Sequence, residues 1–359
     1  MESLAWRLLL PAVAECTASV WFPQVTLYGK DLQMAALNLM GAFIQGFFVQ
    51  VEKSEALFVS AGAAFALLPA ITLDVQGYFL STLTSWAGMV GKASFFAHGA
   101  GSYGVGVLYI VACVLLGVVA HMMGAAIASG LAALVSGGKA KKAPSSDGAA
   151  RAVRFAVLAS LAAFVVGTYI TVLRDLRTFE DSDAIRDGEA PLLAFFDEDH
   201  RQLIVAIGCS IAGAWTGNIV GSFVDRVSGD SGVAIPRGTL ACNALFGALG
   251  LSLNAATLRH KRWGRSVLIQ SFAGSFCGAA SAFNGHATDA SELLSRKEAG
   301  GWYGAARNSV ANVALALLVF LAGYELEWLL ERVPSIDLDK SGFVSPGELA
   351  KVYGVRMVL

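Results

Sequence analysis

Charge is scarce in this chain. Asp, Glu, Lys and Arg together make up 15% of its 359 residues, against about 25% in soluble domains, and that shortage excludes an ordinary water-soluble globule. An excess of either sign is missing too: 26 basic against 27 acidic residues leave a formal net charge of −1, which gives no reason to expect nucleic acid as a partner. Cysteines are few and odd in number, five in all, and Cys16, Cys113, Cys209, Cys242 and Cys277 each lie inside an apolar segment. They read as small core hydrophobes, and a disulfide framework is not expected. A cleavable signal sequence does not fit residues 3–20, because Arg7 falls inside the apolar run instead of before it. No phosphate loop, nucleophile constellation or metal-catalysis motif is found, so the chain is not read as an enzyme.

What is present is apolar sequence in long runs. Hydrophobic residues make up 55% of the chain, and the mean hydropathy is +0.60. A bilayer span needs about twenty apolar residues. Residues 3–20 (short), 32–51, 56–73 running into 76–95, and 103–135 meet or approach this, as do 152–173 and then 202–225, 237–258, 265–290 and 304–331. The order is four spans, one, and four. Glycine, 39 residues, concentrates in the spans, where small residues let membrane helices approach closely. Residues 136–151 form a basic linker carrying Lys139, Lys141 and Lys142, and 174–201 an acidic loop. The basic linker and the basic stretch from Arg259 to Arg265 are three spans apart, hence on opposite sides, so charge gives no vote on orientation.

The two sets of four spans carry the same plan. In the first, Asn38 sits in an apolar helix and the next span holds Ser81, Thr82, Thr84, Ser85 and Trp86. In the second, Asn243 is followed by Ser281, Phe283, Asn284, Gly285 and His286. Polar side chains in a span are costly and face an interior or a water-filled path. Hydroxyl- and glycine-rich stretches at that depth predict broken helices, tolerated where the freed backbone groups find partners. Asn308, Ser309 and Asn312 add a polar face to the last span. Two repeats joined by one extra span must lie in opposite orientations. The expected fold is therefore an all-α polytopic membrane protein, with two inverted four-helix repeats joined by a linker transmembrane helix and the third helix of each repeat broken.

These residues resemble the CrcB/Fluc fluoride channels, and two such domains fused through a linker helix resemble the eukaryotic fluoride exporters called FEX. Pro236-Arg237-Gly238-Thr239-Leu240-Ala241-Cys242-Asn243 is similar to the family's Pro-x-Gly-Thr-Leu-x-x-Asn. Phe276, Cys277 and Gly278 followed by Ser281 and Phe283 are similar to its Phe-Cys-Gly-x-x-Thr-Thr-Phe. Ser81 to Trp86 falls on Thr-Thr-Phe-Ser-Ser-Trp, and Arg7 sits where the family has a first-helix arginine. In that alignment Leu83 replaces the pore phenylalanine of the first copy, His286 the second aromatic of the second, and Thr216 or Gly217 its arginine. The resemblance implies passive fluoride conduction, with phenylalanine ring edges and hydroxyl or amide donors at the anion. It also implies a central sodium held by carbonyls at the breaks. A ring edge is positive and suits a small anion, and several donors must replace its water. The residues this assigns to the pore are Asn38, Ser81, Thr82, Thr84, Ser85, Asn243, Ser281, Phe283, Asn284, Asn308 and Ser309.

Beyond the last span, Asp337, Asp339, Ser341, Phe343 (through its carbonyl), Ser345 and Glu348 have the spacing of a twelve-residue EF-hand loop with Gly342 at its turn, which predicts calcium binding. The expected organisation is thus a first repeat over 1–135, a linker region over 136–201, a second repeat over 202–331 and a calcium-binding tail over 332–359. The expected function is a fluoride-selective passive channel or exporter, open to calcium modulation. The expected form is a monomer folded as an intramolecular pseudo-dimer, in contact with lipids, and the expected location is the plasma membrane. The alternatives are a coupled transporter of another small ion, and a calcium-binding membrane scaffold with a degenerate pore.

Overall fold

The computed structural model describes residues 2–22, 26–27, 30–53, 75–100, 103–136, 158–168, 198–228, 237–259, 266–281, 283–295 and 301–336. The EF-hand-like loop from Asp337 to Glu348 lies outside the described residues. Helix α1, Glu2–Cys16, runs into a π-helical turn at Thr17–Trp21. The only strands among the described residues are the two-residue pair Thr26–Leu27 and Lys30–Asp31. Helix α2 spans Gln33–Lys53. A π-helical segment, Val75–Leu80, then leads into the short α3, Ser81–Leu83, and after a break into α4, Trp86–Ala100. Helix α5 is Tyr103–Ser136, and α6 is the short apolar Leu158–Thr168.

The same succession then recurs. Helices α7, Glu198–Ser228, and α8, Arg237–Arg259, precede a second interrupted helix. This one is built from α9, Val267–Ser271, a π-helical turn at Phe272–Phe276, and α10, Cys277–Ala280. After its break come α11, Phe283–Ser295, and α12, Gly301–Ile336. The residues expected to close the acidic loop, from Glu198 on, instead open α7. The chain is all-α in character, and five helices are long and apolar enough to cross a membrane: Gln33–Val51, Tyr103–Leu134, Leu203–Ser228, Arg237–Ala256 and Gly301–Gly323. The two interrupted helices supply shorter pieces because their backbone turns out of helix midway. Only the middle of the expected linker span 152–173 is described; there Thr168 accepts a hydrogen bond from Trp21 Nε1 at 2.7 Å and Phe164 packs on the Trp21 ring.

Glycine sets the closest helix approaches. On α2, Gly46 faces the backbone carbonyl of His121, and on α5, Gly124 faces that of Phe43. On α7, Gly213 and Gly217 face the backbones of Phe276 and Ala280. Without side chains there, dispersion contacts between backbones replace the missing hydrophobic drive between helices in lipid. The outer face of α5 is apolar instead, with Leu108, Leu115, Leu116 and Met123 exposed, as suits a helix against hydrocarbon.

The main core joins both halves of the chain. Trp86, Met89 and Val90 of α4, Ile110 and Val114 of α5, Leu251 of α8, Phe283 and Ala287 of α11, and Ala316 and Phe320 of α12 form one buried cluster. Helix α4 packs on α5 but also on α8 and α12, while α11 packs on α12 but also on α2 and α5. Each post-break helix is therefore shared between the two halves.

Candidate functional site

The two helix breaks meet. At the first, Thr84 turns extended (φ −107°, ψ 145°); at the second, Ser281 does the same (φ −102°, ψ 112°). A helix restarting after a break leaves its first amides without intrahelical partners. At α4, Ser85 Oγ accepts from Gly88 N–H at 2.7 Å, a normal N-cap. The second break completes the cap: Ser281 Oγ accepts from Ala87 N–H at 3.0 Å, and Ser281 O lies 3.5 Å from Trp86 N. The favour is returned at α11, where Asn284 N lies 3.4 Å from Thr84 Oγ1. The extended residue of each break thus faces the second amide of the opposite helix.

This reciprocity pairs the two breaks in a register three residues away from the one read from sequence. Thr84 corresponds to Ser281, and Trp86 to Phe283. The π-helical segments obey the same correspondence, starting at Val75 and Phe272. Leu83 therefore does not occupy the place of Phe283, which belongs to Trp86 one turn later. The alignment slipped because Ser81-Thr82 and Thr84-Ser85 are both hydroxyl pairs, and only the backbone distinguishes them. Both aromatic rings are fully buried; Phe283 packs over Gly117 and Trp86 over Gly247.

Asn38 is the brace of the first break. Its Oδ1 accepts from Ser85 N–H at 2.8 Å, and its Nδ2 donates to Ser85 O at 3.1 Å. Asn243 does not repeat this role. Its Nδ2 faces Asn312 Oδ1 at 3.4 Å, and Asn312 Nδ2 in turn donates to Asn308 O and Oδ1 at 3.0 and 3.1 Å. Ser81 and Thr82 donate back to the carbonyls of Gly77 and Tyr78 in the π-helical segment at 2.6 and 2.9 Å. Ser309 is half-buried and belongs to neither cavity described below.

Several buried polar atoms beside this crossing have no protein partner: Trp86 Nε1, both ring nitrogens of His286, Asn308 Nδ2 and Asn243 Oδ1. All four residues are at most 1% exposed. Their elements pack together, α4 and α11 each against α12 and α8. Indole and amide N–H groups are donors, and leaving one buried and unpaired costs about 1–3 kcal/mol.

Two polar cavities flank the crossing. The first, about 390 Å³, is lined by Glu15, Ser19, Gln33, Thr82, Ser85, Lys92 and Ser275 among others. The second, about 360 Å³, is lined by Gln45, Ser81, Asn218, Asp225, Thr239, Asn284 and Asp289. Asn284 Nδ2 donates to Gln45 Oε1 at 3.4 Å and Thr84 Oγ1 lies 3.1 Å from Asn284 Oδ1, so a hydrogen-bonded line runs from the first break to that cavity. Sequence reasoning missed Glu15, Gln45, Asp225 and Asp289. The signal was available: Gln45 follows Asn38 by two turns on one helix face, and Glu15, Asp225 and Asp289 are charges inside apolar runs. No family model, curated protein or solved structure matches the chain.

Proposed function

We propose that the chain is a passive ion channel of the double-domain fluoride type, built from two inverted repeats and releasing fluoride across the membrane. The observation that carries this reading is the reciprocal contact of the two breaks. A contact in which Thr84 reaches the Ser281 half and Ser281 reaches the Thr84 half is self-complementary, as a two-fold relation requires. A two-fold axis in the membrane plane is what inverted repeats generate, with the ion site where they meet. The unpaired donors of Trp86, Asn308 and His286 favour an anion, and Phe283 offers a ring beside them. For the central sodium, Ser85 O is engaged by Asn38 and Met89, whereas among the described residues Ser281 O meets the Trp86 amide alone, at 3.5 Å. Ser281 is the residue with capacity left to hold that ion.

The test is fluoride efflux from potassium-loaded liposomes after valinomycin, with chloride liposomes alongside. Fluoride efflux without chloride efflux is expected, falling to the protein-free background in Phe283→Ile while the variant stays monodisperse. Full efflux from that variant would remove Phe283 from the path, and no efflux from the native chain, with or without calcium, would overturn the channel. Calcium modulation through the tail is checked in the same vesicles: Glu348→Gln is expected to abolish any calcium response, and an unchanged response would dismiss the loop as sensor.

One observation favours a coupled transporter as second reading. Asp225 and Asp289 both line the second cavity, and intramembrane carboxylates mark ion and proton relays. Flux that follows membrane potential without a sodium or proton requirement decides for the channel.

A further inference from the structure

The first cavity holds a carboxylate with no ion-pair partner among the described residues. Glu15 is 8% exposed, near the end of α1. Its partners are three hydroxyls from three elements. Ser19 donates to Oε1 at 2.9 Å, Ser275 to the same oxygen at 3.2 Å, and Ser210 of α7 makes a short bond to Oε2. Among the described residues no Lys or Arg nitrogen lies within ion-pair distance of it. The basic residue on the cavity wall, Lys92, holds its ammonium 5.1 and 5.8 Å from the rings of Phe95 and Phe96. Arg7, two turns earlier on α1, stands over the Tyr78 ring at 5.6 Å.

Buried charges in proteins are paired or coordinate metals. Each serine that spends its one proton on Glu15 keeps oxygen lone pairs. Glu15, Ser19 and Ser275 all border the same cavity, so one negative charge and at least two neutral oxygens face one space. That is a hard-oxygen set of low charge. A divalent ion of the calcium type recruits several carboxylates, whereas a single carboxylate among hydroxyls balances one positive charge.

We infer that Glu15, Ser19 and Ser275 form a binding site for a monovalent cation, sodium, on the wall of the first cavity. Its residues are not those of the break crossing, and the site does not depend on which ion the chain conducts. By joining α1, the π-helical turn at Phe272–Phe276 and, through Ser210, α7, a bound cation would tie the first half of the chain to the second.

The experiment is thermal unfolding of the full-length purified protein in detergent, titrated with sodium chloride against potassium and N-methyl-D-glucamine chloride at constant ionic strength, with binding of radioactive sodium measured in parallel. Anything that binds only the folded state raises its midpoint with ligand concentration. A saturable rise with sodium is expected, absent in Glu15→Gln. In case Glu15→Gln folds poorly, Ser275→Ala keeps the carboxylate and is expected to raise the half-saturating sodium concentration about tenfold. A sodium response retained in Glu15→Gln would place the cation elsewhere, at the breaks, and overturn the assignment. Equal responses to all three salts, no response at all, or a midpoint that follows pH and not sodium would overturn it too.

Discussion

Gly46→Val is expected to yield no folded, monodisperse protein. Gly46 sits where α2 crosses α5, and a Cβ there would fall on the backbone carbonyl of His121. No side chain can rotate away to make room, because the obstacle is main chain of a helix that presents its own glycine, Gly124, to α2 in the same crossing. Overpacking a core costs about 1–3 kcal/mol even where side chains yield. Here two helices must separate along their contact, so the expected loss is larger and takes with it the placement of Gln45 and Asn38. Size-exclusion profiles in detergent check this. Gly130→Val on α5, which meets nothing within 4 Å, is the matched control and is expected to elute as the native chain does. A normal profile for Gly46→Val would mean that α2 and α5 do not approach at this glycine.

Asn38→Leu is expected to abolish ion flux and lower the thermal midpoint, with the chain still insertable. The substitution strips Ser85 N–H of its one acceptor, since the bond at 2.8 Å to Asn38 Oδ1 is the one it makes. Ser85 O loses Asn38 but keeps Met89 N–H at 3.1 Å, so one orphaned donor dominates, at about 1–3 kcal/mol. Asn38→Asp restores an acceptor for the amide but sets a second oxygen against Ser85 O, and is expected to recover stability only in part. A flux assay paired with a melting curve checks both. Native flux from Asn38→Leu would show that the break keeps its shape without the brace. The corresponding change at Asn243 leaves the second break's backbone bonds untouched, because Asn243 faces Asn312 instead.

The described apolar helices, their order and the existence of two breaks were legible in the sequence, since apolar runs and hydroxyl clusters are one-dimensional signals; the expected span 56–73 lies outside the described residues. Asn38 was legible for the same reason: a lone amide in an apolar span needs a partner. The run from Ser81 to Ser85 that holds the first break was legible too, but not which of its residues turns. Ser81, Thr82, Thr84 and Ser85 are interchangeable as hydroxyls, and the turn falls where Thr84 can leave the helix and meet Asn284, a contact made across the whole chain. Asn243 was read as the twin of Asn38, yet its partner was decided by what α12 places beside it. Glu15 escaped notice because its three serine partners come from distant segments. An isolated carboxylate near the end of a short apolar run does not announce a site. Phe283 was singled out for the pore, and the structure shows its ring buried at the second break, while Trp86, which stands at the matching place after the first break, was not read that way.

The exchange of caps between Thr84 and Ser281 sets an order for assembly. While the chain is being made, the amides of Ala87 and its neighbours enter the bilayer long before Ser281 is synthesised. Until then the amide of Ala87 lacks its hydroxyl, and the local cap from Ser85 to Gly88 is the part of the arrangement the first half can make by itself. The first half must therefore wait, incompletely closed, for the second to insert against it. Neither half is a finished unit when made alone, and the later-made one acts as the folding template for the earlier.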